Sequence, residues 1–256
     1  MTTGWDMDNT VRFDGRADEY TKGRPNYSSE LIDTLYREYG LSEKSVVADI
    51  GSGTGKFAVH LLERNNRVYC VEPNDDMRKT AERELGCYPG FVSVKGDAEN
   101  TGLESRSVDL VTSAQAFHWF DGDKFRKECS RIIRGSGKVI LIWNVRDTHS
   151  QINQDLYEIY NRYCDRFAGF SGGIVKDDPR IVRFFGGRYD YISFPHPLYT
   201  DREQFLSGCL SGSYSLRKGD RRYDDYLNEL TAVFDRYSEN GTAMIPYDST
   251  AYIGTV

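Results

Sequence analysis

Val46-Val-Ala-Asp-Ile-Gly-Ser-Gly-Thr-Gly-Lys-Phe57 joins a short, mostly apolar run to three glycines at alternate positions, Gly51, Gly53 and Gly55. An amphipathic segment, Lys56 to Asn65, follows. That order predicts a buried parallel strand, a tight turn and a helix. Glycine serves where backbone must approach something closely or take positive φ, and a helix N-terminus beyond the turn offers free N–H groups, so the turn is expected to hold a ligand. A Gly-x-Gly turn alone serves geometry just as well, so its neighbours decide. A dinucleotide fingerprint needs its third glycine or alanine three residues after the second, where this chain has Lys56. Asp49 stands two residues before Gly51, where it would repel a pyrophosphate, and P-loop spacing is absent. The ligand expected here carries positive charge and hydroxyls.

Asp49-Ile-Gly-Ser-Gly-Thr-Gly55 resembles the glycine motif of class I S-adenosylmethionine-dependent methyltransferases. Later residues arrive in the order that family requires. Arg67 to Val71 reads as a second strand, and Glu72 at its carboxyl end is placed to accept from both ribose hydroxyls. Val92 to Lys95 leads into Gly96-Asp97-Ala98-Glu99, similar to the family's adenine-binding step. The resemblance implies that Asp97 accepts from the adenine amino group and that the Ala98 backbone meets the ring. Ser107 to Ser113 and Gly137 to Asn144 resemble the fourth and fifth strands. The resemblance implies S-adenosyl-L-methionine as cofactor, held by Asp49, Gly51, Gly53, Gly55, Glu72, Asp97, Ala98 and Gln115.

Gln115-Ala-Phe-His-Trp-Phe120 follows the fourth strand directly, at the end where ligands bind in such sheets. His118 and Trp119 resemble the Phe-His-Trp triplet of the methyltransferase type 11, trans-aconitate methyltransferase-like branch. They are the candidate catalytic residues, either walling a methyl-transfer chamber against water or acting on the acceptor. A histidine among aromatics is also a common packed wedge. Trp143 and Asn144, at the end of the fifth strand, are pocket-wall candidates. The segment from Phe13 to Tyr27 resembles the part that folds over the cofactor in the same branch. It implies Tyr20 near the sulfonium and Arg24 or Arg16 on the cofactor carboxylate. Thr10 to Tyr27 is expected to order only when cofactor binds.

Ser28 or Ser29 is expected to cap a first helix, Pro73-Asn74-Asp75-Asp76 to begin a helix stopped by Gly86, and Asp121 to cap the helix after strand four. After Val145 the composition shifts, and 12 of the 18 tyrosines lie between Tyr157 and Tyr252. Helices are expected at Gln154 to Phe167, Thr200 to Leu210 and Tyr223 to Glu239, with strand segments at Tyr189 to Pro195 and Gly241 to Val256. The fold class is therefore α/β. The expected architecture is a doubly wound, seven-stranded, mostly parallel sheet with an antiparallel edge strand, plus N-terminal and late helical caps over the active site. One domain is expected: residues 1–40 as N-terminal cap and first helix, 41–145 as cofactor-binding core, and 146–256 as substrate cap and last strands.

A net charge of -6 and a pI near 5.4 argue against a nucleic-acid partner, which calls for a basic face. The five cysteines are odd in number and far apart, so neither a disulfide framework, a zinc site nor any other metal is expected, and reduced thiols point to the cytoplasm. No export signal is expected at Met1 to Thr10, and the longest bare apolar run, Val139 to Trp143, is too short to span a bilayer, so no membrane partner is expected. The expected function is methyl transfer to a small molecule, and the branch resemblance implies O-methylation of a carboxylic acid. A protein that binds the cofactor without catalysis is the alternative, and a nicotinamide oxidoreductase is disfavoured by Lys56.

Overall fold

The computed structural model of the protein describes residues 25–256. Its main sheet contains β1 (Val46–Ile50), β2 (Arg67–Val71), β3 (Phe91–Val94), β4 (Leu110–Ala114), β5 (Val139–Arg146), β6 (Asp190–Pro195) and β10 (Tyr247–Gly254). The strand order is β3-β2-β1-β4-β5-β10-β6. β1 to β5 pair in parallel, and β10 runs antiparallel to both β5 and the rim strand β6. This is the expected seven-stranded, mostly parallel sheet, with its antiparallel strand at the β6 end. The order reverses at β1 and β4, which opens a crevice at their carboxyl ends, where ligands bind in doubly wound sheets.

Each short strand is long enough to carry one residue of the site to its end. In β1, Val47 packs into the core on one face of the sheet with Leu31, Leu35, Phe57 and Leu61, while Ala48 and Ile50 pack on the other with Val111, Leu141 and Trp143. Apolar contact on both faces is why the run reads as continuous rather than alternating. Register then sets the neighbours of the polar residue in the run: Asp49 pairs with Cys70 on β2 and Thr112 on β4.

The helices of this half are α1 (Ser29–Glu38), α2 (Ala58–Leu62), α3 (Asp75–Leu85) and α4 (Gly122–Ile132). Asp121 Oδ1 accepts from Asp123 and Lys124 N–H, both 3.2 Å, the cap expected there, and at the start of α3 it is Asn74 that caps, its Oδ1 accepting from Met77 N–H at 2.9 Å. Ser28 stands at the N-cap of α1, but its side chain makes no capping bond. Its N–H instead donates to Ser249 Oγ at 3.0 Å, tying the helix start to β10. α2 is shorter than the Lys56 to Asn65 expectation because residues 52–57 form turns, with Gly55 N–H donating to the Ser52 carbonyl.

Beyond β5 the chain forms α5 (Gln151–Tyr163), α6 (Pro179–Phe185), α7 (Arg202–Leu210) and α8 (Tyr223–Tyr237). A second sheet, β7 (Leu198–Thr200), β8 (Ser238–Glu239) and β9 (Thr242–Ile245), has the order β7-β9-β8. The expected single segment from Gly241 to Val256 is thus two strands in two sheets, divided at Pro246, which has no N–H to continue a ladder. This late region has its own apolar core, in which Leu156, Tyr160, Phe205, Tyr226, Leu230 and Phe234 meet. Among the described residues no helix is long and apolar enough to cross a membrane, and no group of three His, Cys, Asp or Glu side chains is placed to hold a metal ion.

Candidate active site

The turn after β1 brings its three glycines into left-handed backbone conformations, with φ of +66°, +56° and +84° at Gly51, Gly53 and Gly55. Two of them are also forced by contact. A Cβ on Gly51 would lie 2.6 Å from Ala116 Cβ, and one on Gly55 would lie 2.2 Å from Leu85 Cδ1. Around Gly53, by contrast, the space is open. The close approach at Gly51 seats the turn directly against the segment that follows β4.

Free N–H groups were expected at the helix N-terminus beyond this turn; within the turn itself four are already engaged. Gly51 and Ser52 N–H donate to the Val71 carbonyl at 2.9 and 3.2 Å, Gly53 N–H donates to Glu72 Oε2 at 2.9 Å, and Gly55 N–H donates to the Ser52 carbonyl at 2.9 Å. A phosphate would find these donors already spent. What the turn presents instead is carboxylate. Asp49 is 1% exposed; its Oδ1 accepts from Thr112 Oγ at 2.7 Å, and its Oδ2 has no hydrogen-bond partner. Burial, only partly offset by the Thr112 bond and reinforced by the charge of Glu72, pushes the Asp49 carboxyl up to about 7. Glu72 is also buried, and its Oε1 accepts from Asn74 N–H at 2.9 Å. Burial raises its carboxyl above the usual range against the pull of those two N–H bonds and Arg78. Each Glu72 oxygen therefore holds one backbone donor and keeps lone-pair capacity for one more.

Asp97 and Ala98 follow β3. Asp97 is exposed, and its Oδ1 accepts from the N–H groups of Glu99 and Asn100 at 3.0 and 2.7 Å, which shapes the turn that buries Ala98. One oxygen of Asp97 is thus engaged in the turn itself. Gln115, at the end of β4, takes φ of +59°, a strained conformation for a residue with a side chain, and its Nε2 donates to the Asn144 carbonyl at 3.1 Å.

Phe117–Trp119 form one turn of 3-10 helix. Phe117 is buried against Trp143 and Phe184, with ring centroids 6.3 and 5.1 Å away, while the His118 and Trp119 rings lie 4.7 Å apart. Over this pair sits a second 3-10 turn, Phe170–Gly173, part of the late region expected as a cap over the active site. A Cβ on Gly172 would fall 2.4 Å from His118 Cδ2, so glycine at that position makes room for the imidazole. Ser171 Oγ donates to the Asn144 carbonyl at 3.4 Å, so the ends of β4 and β5 and this turn converge.

Trp143 and Asn144, expected as pocket walls, are structural. Trp143 is fully buried between Phe117 and Tyr252. Asn144 is 3% exposed, donates through Nδ2 to the Asn26 carbonyl at 2.9 Å, and accepts at Oδ1 from Ser249 Oγ. Tyr20, Arg24 and Arg16 lie outside the described residues, as does most of the expected Thr10 to Tyr27 cap. Thr112 also went unread, because its partnership with Asp49 depends on a register that no local pattern encodes.

S-adenosylmethionine fits this donor set. It is a cationic nucleoside with two ribose hydroxyls and no phosphate, and it meets two buried carboxylates with spare acceptor capacity beside a turn in which four amides are already engaged. A methyltransferase-domain family model matches residues 48–141. An uncharacterized methyltransferase-like protein of Schizosaccharomyces pombe is 31% identical over 247 residues, covering 91% of each chain. An uncharacterized methyltransferase of Mycobacterium tuberculosis is 36% identical over 158 residues; the match covers 62% of this chain and spans only 62% of that protein's length. A solved methyltransferase structure from Anabaena variabilis superposes with a TM-score of 0.63 at 23% identity, over 92% of this chain and 99% of that one, which agrees with the fold. The match along nearly the whole length of the fission yeast protein, together with the glycine turn and its carboxylates, makes the chain a member of the class I S-adenosylmethionine-dependent methyltransferase family.

Proposed function

We propose that the protein transfers a methyl group from S-adenosylmethionine to a small-molecule acceptor, and that the acceptor is a carboxylic acid methylated on oxygen. The observation that carries this reading is the pair Asp49 and Glu72, two buried carboxylates on adjacent strand ends around a glycine turn whose Gly51, Ser52, Gly53 and Gly55 N–H groups already donate within the protein. When bound, the cofactor supplies a methyl group on a sulfonium: an acceptor oxygen forms the O–C bond as the C–S bond breaks and its electron pair stays on sulfur. The chain's own work is to hold both partners in line and keep water out, which can supply roughly 7–11 kcal/mol. Glu72 takes the ribose hydroxyls, Asp97 and Ala98 the adenine, and Asp49 the positive end of the cofactor. Phe117, His118, Trp119 and Phe120 close the wall. A carboxylate is already an anion at neutral pH, with an ordinary pKa near 4, so no residue has to remove a proton and His118 acts as wall or hydrogen-bond donor.

Calorimetric titration with S-adenosylmethionine, S-adenosylhomocysteine and NADH tests the pocket: one site per chain is expected for the first two and none for NADH. A labelled-methyl screen of organic acids, phenols and amines then tests the acceptor class. With a carboxylate, single-turnover rates should stay nearly flat from about pH 7 to 9 and His118→Asn should keep appreciable turnover. A rise through a histidine-like pKa that disappears in His118→Asn, with a loss of about 10²–10⁴-fold, would instead make His118 a general base.

A further inference from the structure

Arg146 ends β5 with a positive charge for which no carboxylate is at hand among the described residues. It is partly accessible, and among the described residues its side chain makes one hydrogen bond, Nη1 to Asn153 Oδ1 at 2.8 Å. The neighbours bearing most on its charge are Tyr247, Tyr160, Cys209 and Tyr214, none of them a carboxylate. Its guanidinium carbon lies 4.9 Å from the ring centroids of both Phe170 and Tyr247. Aromatic faces attract a cation but offer no lone pair in the guanidinium plane. A guanidinium carries five N–H donors in a fixed fork, so one neutral amide leaves most of them for a planar acceptor. A charge withdrawn from water without a partner is costly, and a carboxylate bound side-on is the group whose geometry matches the fork.

The surroundings are built to aim this edge. Asn153 is 1% exposed, and its Nδ2 donates to the carbonyls of Asp147 and Pro246 at 2.9 and 3.0 Å, which fixes the oxygen that meets Arg146. Phe170, under the guanidinium, opens the same 3-10 turn whose Gly172 lies against His118. Arg146 thus stands at the carboxyl end of β5, two strands from β1 and its Asp49, and touches the turn that lies against His118.

We infer that Arg146 anchors a carboxylate of the methyl acceptor, and that this carboxylate is a different group from the one that is methylated. A carboxylate whose lone pairs are engaged by a guanidinium is a poor nucleophile, so the acceptor carries at least two polar groups: one clamped by Arg146, the other presented to the methyl carbon beside His118. The inference rests on the methyl-transfer reading above and narrows it to diacids, or acids with a second nucleophilic group.

The test uses the full chain, saturated with S-adenosylhomocysteine for binding and supplied with S-adenosylmethionine for turnover. The ligands are glutarate, citrate and 4-hydroxybenzoate, each set against its primary amide. Wild type should bind and methylate acids and ignore the amides. Arg146→Met, which keeps the apolar stem, should raise KM for the acids about 10- to 100-fold, the scale for losing charge-assisted hydrogen bonds, with a smaller change in kcat. Arg146→Lys, which keeps the charge but not the fork, should recover part of that loss, and it carries the test if the Met variant fails to fold. S-adenosylhomocysteine affinity should be the same in all three proteins. Amides accepted as readily as acids, an acid KM indifferent to both variants, or a wild type that binds none of the acids overturns the inference. Cofactor binding in the same titrations shows separately whether the methyl-transfer reading stands.

Discussion

The ends of β1 and β5 carry opposite chemistry. β1 closes on Asp49, a nearly inaccessible carboxyl held by one hydroxyl, and the neighbouring β2 closes on Glu72, held by two backbone N–H groups. β5 closes on Arg146, held by one amide and two aromatic rings. The first site is made by backbone: strand register and a glycine turn place both carboxylates within a bond or two of rigid main chain. The second is made by long side chains and rings from the late region, whose packing alone sets their positions. A site built from backbone suits the part of the reaction that every family member shares, and a site built from side chains suits the part that differs. The crevice is polarised accordingly, with acceptors for a cationic ligand at one side and a donor for an anionic one at the other.

Gly51→Ala should break the β1 side most severely. The new Cβ meets Ala116 at 2.6 Å from a backbone with φ of +66°, so overpacking and left-handed strain together should cost about 2–5 kcal/mol of folding stability. Chemical denaturation reads this directly, and an unchanged midpoint would mean the turn can shift away from residues 116–120. Next in size, Glu72→Ala should weaken S-adenosylhomocysteine binding by about 1.5–3 kcal/mol, the range for hydrogen bonds to a charged group. Calorimetric affinity that does not move would remove Glu72 from the pocket.

On the β5 side, Gly172→Ala should slow turnover by roughly 10-fold or more while leaving cofactor affinity nearly alone. Its Cβ would enter the His118 ring, and the turn or the imidazole must give way. Equal losses in both quantities would show that the two sides are one rigid unit.

A smaller effect is expected from pH. In the folded, ligand-free protein the Asp49 carboxyl sits at about 7, against an ordinary value near 3.9. Between those values the folded state binds a proton that the unfolded state has lost, so the contribution of Asp49 to stability falls as pH rises from about 4 to about 7. A cationic ligand favours the ionised form. S-adenosylmethionine should accordingly bind more tightly as pH rises from 6 to 8, at most about tenfold per unit, and release a proton below pH 7. Asp49→Asn should flatten the profile, which calorimetry in buffers of different ionisation enthalpy detects. Smallest of all, Glu72→Ala and Arg146→Lys should act independently, with a coupling below about 0.5 kcal/mol, if the two poles are energetically separate.

What could be read before folding follows the same division. β1 to β5 announce themselves by short apolar runs, each ending in a polar or glycine-rich step, because parallel strands buried on both faces have little freedom in composition. The placement of Asp49 and Glu72 was legible since it depends only on position at a strand end. Thr112 was not, since it reaches Asp49 only through β1–β4 pairing. The shortness of α2 was hidden because the pattern from Lys56 onward fits a helix, while the hydrogen bonds of the turn take up its first residues. α6 has only seven residues, too few for a periodic signal, although Asp178 caps it and Pro179 opens it. Arg146 read as the charged end of an apolar strand, and only the folded chain brings Phe170 and Tyr247 to it.

Asn144 adds a matter of timing. Its amide joins residues separated from it by 118 positions on one side, at Asn26, and 105 on the other, at Ser249. β10 must also slide in between β5 and β6 before the sheet is whole. As the chain is synthesised at roughly 5–20 residues per second, β5 waits on the order of 5–20 s for the strand that will cover its outer edge. Throughout that interval its Val139 to Trp143 run, fully buried in the finished protein, has open backbone groups along one side. A nascent chain halted before Tyr247 is thus poised to pair with another copy of itself, and loss of the last strand should appear first as aggregation and only afterwards as loss of activity.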